Sequence, residues 1–170
     1  RCLHSKNWSL REAALAKCCV LISNSEVDVC DEKLIGQFCN LIKAGHPRAL
    51  RLVGATLGAK VQLQSFSVAP KIIRLGQTLQ LNATLVSTAR QAQKLVIDYA
   101  LHYVKKNGER SRKVFKLRTL ELAGQAEIAI TKNQTMADFT TRVHYPGRHA
   151  VELLVNGLTV AQGHFMLKTD

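Results

Sequence analysis

LVIDYALHYVKKNGERSRKVFKLR, residues 95–118, decides how this chain folds. Val96, Asp98, Ala100, His102 and Val104 fall on one face of an extended segment, and Leu95, Ile97, Tyr99, Leu101 and Tyr103 fall on the other, more apolar one. Period 2 of this kind predicts a half-buried strand. Asn107-Gly108 then reverses the chain, because both residues tolerate positive φ. Between Lys105 and Arg118 stand seven lysines or arginines and one acid, Glu109. Burying that turn would cost far more than it returned, so it is expected in solvent. A β scaffold that presents a concentrated cationic loop is a device for meeting a polyanion.

Outward from this hairpin the same period holds as far back as Ala59. Strands are expected near 61–68, 78–86, 95–104, 113–121, 126–131, 148–155 and 158–167. Pro70, Gly76, Asn107-Gly108, Gly124, Pro146-Gly147 and Asn156-Gly157 punctuate them. About seven short strands with no helices between them predict an immunoglobulin-like β-sandwich over residues 59–170. The Cys–Trp–Cys hallmark is missing, so the core alone must hold it.

Residues 1–58 follow a helical period instead. Ser9 and Glu12 make a capping box, and Leu10, Ala13, Ala14, Cys18, Leu21 and Ile22 form the apolar stripe of a helix over 9–22. Asp31 caps a second helix, in which Leu34, Ile35, Phe38, Cys39, Leu41 and Ile42 recur at helical spacing. Gly45 stops it, and Pro47 opens a short third helix to Val53 that ends at Gly54 and Gly58. Apolar residues on more than one side of such helices ask for further helices beside them. The fold class expected is therefore the end of a HEAT-like helical repeat array followed by the sandwich.

Net charge is +12, and it is uneven. Residues 1–58 carry eight bases and five acids, whereas 59–170 carry sixteen and seven, so the β region holds most of the field. Nucleic acid is the first partner to consider, with a solvated, solubilising surface as the bland alternative. All five cysteines lie within the first 39 residues without regular spacing. They read as free thiols in a reducing cytoplasm, and no apolar run spans a bilayer. The chain begins at Arg1 and enters a helix almost at once, as a piece of a longer protein would.

KLVIDYALHYVKKNG, RKVFKL and TTRVHYPGRHAVELLVNG together resemble the C-terminal half of the AlkC-type DNA alkylation-repair glycosylases. The resemblance spans residues 66–168, and KAGHPRALRLVG is similar to the segment where the last repeat of that family meets its β domain. It implies HEAT-like repeats joined to an immunoglobulin-like domain, in a bacterial enzyme that hydrolyses the N-glycosidic bond of bases such as 3-methyladenine. A base methylated on a ring nitrogen is already cationic and leaves without a general acid. One or two carboxylates then stabilise the oxocarbenium-like sugar and orient a water. In the family these belong to the concave face of the array, so no catalytic residue is assigned here. Where the family tends to carry arginine and histidine ahead of KAGHP, this chain has Gly36, Gln37, Phe38, Cys39 and Asn40.

The residues expected to meet DNA are Lys105, Lys106, Arg110, Arg112, Lys113, Lys116 and Arg118, with Arg110 and Arg112 foremost. Thr140, Thr141, Arg142 and His144 form a second group suited to a phosphate or a groove edge, or equally to a strand ladder. Tyr145-Pro146-Gly147 with His149 reads as a structural corner, histidine standing for tyrosine. Asp28, Asp31 and Glu32 read as helix caps, and Trp8 as a staple. Cys18, Cys19, Cys30, His4 and His46 lack metal-ligand spacing, and neither metal nor cofactor is expected. The function expected is the DNA-binding portion of an alkylbase glycosylase, a monomer acting on double-stranded DNA with alkylated bases and excising nothing alone. The alternative is a non-catalytic scaffold or binding module for nucleic acid or acidic protein.

Overall fold

Side chains that alternate inward along the extended segments meet between two sheets. The computed structural model describes residues 32–138 and 143–168, with side chains from Gly36 onward. The helix expected at 9–22, the Ser9 and Asp31 caps, Trp8, Asp28, four of the five cysteines and Thr140–Arg142 lie outside these residues. Two helices come first, α1 (Glu32–Lys43) and α2 (Pro47–Leu52). Eight strands follow: β1 (Val61–Ala69), β2 (Ile72–Arg74), β3 (Thr78–Ser87), β4 (Gln93–Val104), β5 (Arg110–Leu122), β6 (Glu127–Thr135), β7 (Gly147–Val155) and β8 (Leu158–Lys168).

One sheet has the order β1-β3-β6 and the other β2-β8-β7-β4-β5. All pairings are antiparallel except β2 with β8, which is parallel. Between the sheets, Leu79, Leu81, Tyr99, Leu101, Val151 and Phe165 fill one half of the core. Leu85, Leu95, Ile97, Ile130, Leu153 and Val155 fill the other. The apolar face expected of residues 95–103 is thus the inner face of β4, and each such aliphatic side chain contributes about 1.5–3 kcal/mol on burial. At one end of the core the His149 ring lies 1% exposed, stacked on Phe165 at 5.2 Å, with Nε2 3.0 Å from the Tyr145 carbonyl. This is the expected corner, a ring bonded to backbone a few residues upstream.

Two expectations need correction. β4 is not half-buried: Val96, Asp98 and Ala100 on its second face are as enclosed as the first. Helix α2 and the segment after it cover that face, packing Leu50 and Ala55 on Val96. Among the described residues the strands number eight rather than seven, because β2 is three residues long and pairs in parallel, too short for periodicity to register.

The helical segment is fastened to the larger sheet by backbone and amide bonds. α1 ends in a Schellman motif: Gly45 takes φ +72°, its N–H donates to Ile42 and that of His46 to Leu41. α2 ends in the same way at Gly54, whose N–H donates to Arg51 while that of Ala55 donates to Leu50. β7 pairs with β4 only along Ile97–His102, which leaves one edge of Lys94–Val96 open. Thr56 and Asn156 occupy it. Thr56 N–H donates to the Lys94 carbonyl at 2.9 Å, and Lys94 N–H to Thr56 Oγ1 at 3.0 Å. Asn156 Oδ1 accepts from Val96 N–H at 2.7 Å, and its Nδ2 donates to the Thr56 carbonyl at 2.7 Å. The turn at Asn156-Gly157 then abuts Gly45 so closely that a Cβ on Gly157 would fall 2.1 Å from Gly45 Cα.

Candidate nucleic-acid interface

The β4–β5 hairpin closes over Lys105–Glu109. Lys105 N–H donates to the Glu109 carbonyl at 2.8 Å and Gly108 N–H to the Lys105 carbonyl at 2.9 Å. Gly108 takes φ +81°, but Asn107 stays at negative φ and uses its side chain instead, accepting from Glu109 N–H at 3.1 Å. Every residue from Lys105 to Arg110 is exposed. The cationic tip is therefore in solvent. One of its lysines is partnered: Lys105 Nζ lies 3.1 Å from Glu109 Oε2, and the bonds from Asn107 and Lys105 hold that carboxyl below its usual range.

The two faces of β5 divide the other cations. Arg110, Arg112 and Lys116 pair across to Val104, His102 and Asp98, so they share the outer face of the larger sheet, the face that carries the helices. Lys113 pairs with Leu101 at the mouth of the core, and with Lys105, Lys106, Tyr103, Val143 and Tyr145 it lines a cleft of about 300 Å³. Arg118 is exposed opposite Ile97.

On the outer face, Arg112 is already occupied. Its Nε and Nη2 donate to Glu152 Oε2 at 3.0 and 2.9 Å. His102 Nε2 lies 3.0 Å from Glu152 Oε1, within ion-pair distance though out of line for a hydrogen bond. Burial pushes the Glu152 carboxyl up, but the Arg112 bonds and charge, helped by His102, hold it below the usual carboxylate range. Lys116 faces Asp98, which is 2% exposed with Oδ2 unbonded. Burial raises the Asp98 pKa, and the charges of Lys116 and Lys43 offset part of the rise.

His144 departs from expectation. It is 5% exposed, its ring edge lies on Tyr103, and its N–H and Nδ1 both meet Asp138 Oδ1, at 2.7 and 2.9 Å. A side chain so enclosed fastens the loop before β7. Sequence reasoning also missed two residues. Arg148 and His164 stand on the outer face beside Ala150, in register with Met166 and with Ala150 itself. Their signal was their parity with Glu152 along adjoining strands, which becomes usable only once the β7–β8 register is fixed. Cys39 is an exposed free thiol, and no metal-binding group of three or more His, Cys, Asp or Glu exists among the described residues. No helix among them is long and apolar enough to cross a membrane.

Several known proteins are similar. AlkC, the alkylpurine DNA glycosylase of Pseudomonas fluorescens solved bound to DNA containing an abasic site analog, superposes with TM-score 0.75 at 34% identity, over 98% of this chain and 50% of that one. A β-glucosidase of Listeria innocua superposes at TM-score 0.55 and 20% identity over 66% of this chain and 16% of its own, a likeness of fold alone. The uncharacterized protein YhaZ of Bacillus subtilis is 34% identical over 117 residues, 69% of this chain and 32% of its own length. This chain therefore spans half or less of AlkC and of YhaZ. Residues 62–169 match the model of the C-terminal Ig-like domain of YhaZ, and the chain belongs to that family.

Proposed function

We propose that residues 59–170 are the DNA-binding sandwich of an alkylbase DNA glycosylase, and residues 1–58 the end of its HEAT-like array. The duplex lies against the outer face of the larger sheet, on the side where the helices pack. The observation that carries this reading is the gathering of Arg110, Arg112, Lys116 and the exposed hairpin tip around that face. The likeness to AlkC, whose solved complex contains DNA, supports it. In the parent protein the reaction is hydrolysis of the N-glycosidic bond of bases such as 3-methyladenine, by a monomer in the cytoplasm.

The stretch supplies grip rather than chemistry. Stabilising an oxocarbenium-like sugar needs a carboxylate that can approach it. Asp98 is buried, Glu152 is held by Arg112, Glu109 by Lys105 and Asp138 by His144, which leaves Glu121, opposite Lys94, and Glu127, at the start of β6, as the exposed carboxylates of the described strands. The chain by itself is expected to release no 3-methyladenine from methylated duplex, and turnover in that assay refutes the assignment. Binding is tested by salt titration with a short duplex. About three phosphate contacts give a slope of log K against log salt near −2.7. A flat dependence, or indifference to Arg110→Ala, favours the rival reading, a non-catalytic module for acidic protein or RNA. The ion pair that already engages Arg112 is the observation on that rival's side.

A further inference from the structure

Ala150 sits in the middle of the outer face of the larger sheet, and its neighbours on that face are longer. Register places His102 of β4 and His164 of β8 directly beside it. Along β7, Arg148 and Glu152 stand two residues to either side on the same face. Arg110 reaches the same place from the start of β5, where it pairs with Val104. The short central side chain leaves a hollow of about 460 Å³ walled by His102, Arg110, Arg148, Glu152, Gln162 and His164. Neighbouring strands lie about 4.8 Å apart, so the two histidine Cα atoms stand roughly 10 Å apart across Ala150.

Charge decides what the hollow accepts. Glu152 is bonded by Arg112, with His102 beside it, and has no lone negative charge to offer a cation. The side chains of Arg110 and Arg148 make no hydrogen bond or ion pair with a described residue, and Arg148 is exposed. Three guanidinium groups against one carboxylate leave two positive charges around a floor of alanine. A carboxylate ligand has two oxygens, which a single guanidinium fork already occupies. A phosphate presents more oxygens and more charge, and can engage both forks together.

We propose that this hollow is a seat for one phosphate group, gripped by Arg110 and Arg148, with Gln162 and His164 closing it from β8. The seat deepens the DNA-facing reading and rests on it only for the source of the phosphate, which is either the backbone of a duplex or a free or terminal phosphate.

The test is a titration of the 170-residue chain followed by amide and imidazole NMR shifts, first with inorganic phosphate and then with a short unmodified duplex. Phosphate is expected to move His102, Ala150, Gly163 and His164 together, with affinity on the order of millimolar. Arg148→Ala is expected to weaken this at least tenfold, while Arg148→Lys keeps the charge, loses the fork and falls between. Arg148 is exposed, and an unchanged unfolding midpoint in each variant verifies that the sheet is intact. If Arg148→Ala weakens duplex binding by a similar factor, the seat holds a backbone phosphate. If duplex binding ignores the substitution while inorganic phosphate feels it, the seat stands and takes a free or terminal phosphate, and the DNA path runs elsewhere. Shifts scattered over the lysines of the hairpin tip, or none in the hollow, overturn the seat even where the duplex still binds.

Discussion

Two hairpins of this sandwich carry the same Asn-Gly dipeptide and put it to opposite uses. At Asn156-Gly157 both residues adopt positive φ, +48° and +78°, and the turn is pressed against the helical segment. At Asn107-Gly108 only the glycine does so, and nothing lies within 4 Å of where its Cβ would be. What separates them is the flanking charge. Buried Val155 and an uncharged flank allow the first turn to meet another surface, whereas Lys105, Lys106, Glu109 and Arg110 keep the second in water. A turn dipeptide specifies reversal, and its neighbours specify whether the reversed chain docks or is displayed.

Alanine at the two glycines breaks that comparison most directly. Gly157→Ala brings a methyl to 2.1 Å from Gly45 Cα, backbone that has no rotamer to yield, and adds left-handed strain. The expected loss is about 3 kcal/mol or more, seen in urea unfolding, together with faster proteolysis between residues 53 and 60 as the helices lift. Gly108→Ala meets open space and carries the strain alone, about 1 kcal/mol. Equal losses at the two sites would mean that the first turn is not a docking element.

The asparagines come next. Asn156→Ala strips Val96 N–H and the Thr56 carbonyl of their partners at a buried site, for an expected loss of about 2–3 kcal/mol in the same unfolding measurement. Asn107→Ala removes one exposed bond to Glu109 N–H and is expected to change stability by about 0.5 kcal/mol. Charge removal at the displayed hairpin is smaller still in stability but not in binding. Lys106→Ala with Arg110→Ala should leave the unfolding midpoint within about 0.5 kcal/mol of its parent. The salt slope of duplex binding should shrink by about 0.9 for each phosphate no longer neutralised. Unaltered slope with both cations gone would detach the displayed hairpin from nucleic acid.

The sequence made the local features legible and hid the lateral ones. The inward face of β4, the final hairpin and the His149 corner follow from period 2 and turn chemistry within a few residues. Burial of β4 on its second face depends on Leu50 and Ala55, some forty residues upstream, and no periodicity reports a partner at that distance. Arg112 reads as a free cation because its partner, Glu152, stands forty residues on and two strands away. Arg148 and His164 are invisible for the same reason. Membership of a face is decided by register, and register across three strands is a tertiary property. The enclosure of His144 is hidden in the same way, because threonines, arginine and histidine in one run suit a phosphate, whereas Tyr103 and Asp138 together enclose the ring.

The smallest effect is a difference of sign in pH dependence between the docked and displayed ends. Asp98, beneath the helical segment, has its pKa raised by burial, with Lys116 and Lys43 offsetting part of the rise. The folded chain therefore keeps that proton longer than the unfolded one does. Stability should fall as pH climbs from the ordinary value of 3.8 through the raised value. Glu152, beside the displayed hairpin, is held low: burial acts against it, but Arg112 and His102 prevail. Its contribution is present above the ordinary value of 4.5 and is lost as pH falls through the depressed one. Urea midpoints measured across this range should therefore respond oppositely to two isosteric changes. Asp98→Asn should flatten the decline with rising pH and leave the fold at least as stable at pH 7. Glu152→Gln should lower stability at pH 7 and flatten the acid limb. A decline with rising pH that persists in Asp98→Asn would place its source in another buried group, and the unbonded Oδ2 of Asp98 would then be hydrated instead of sealed from solvent.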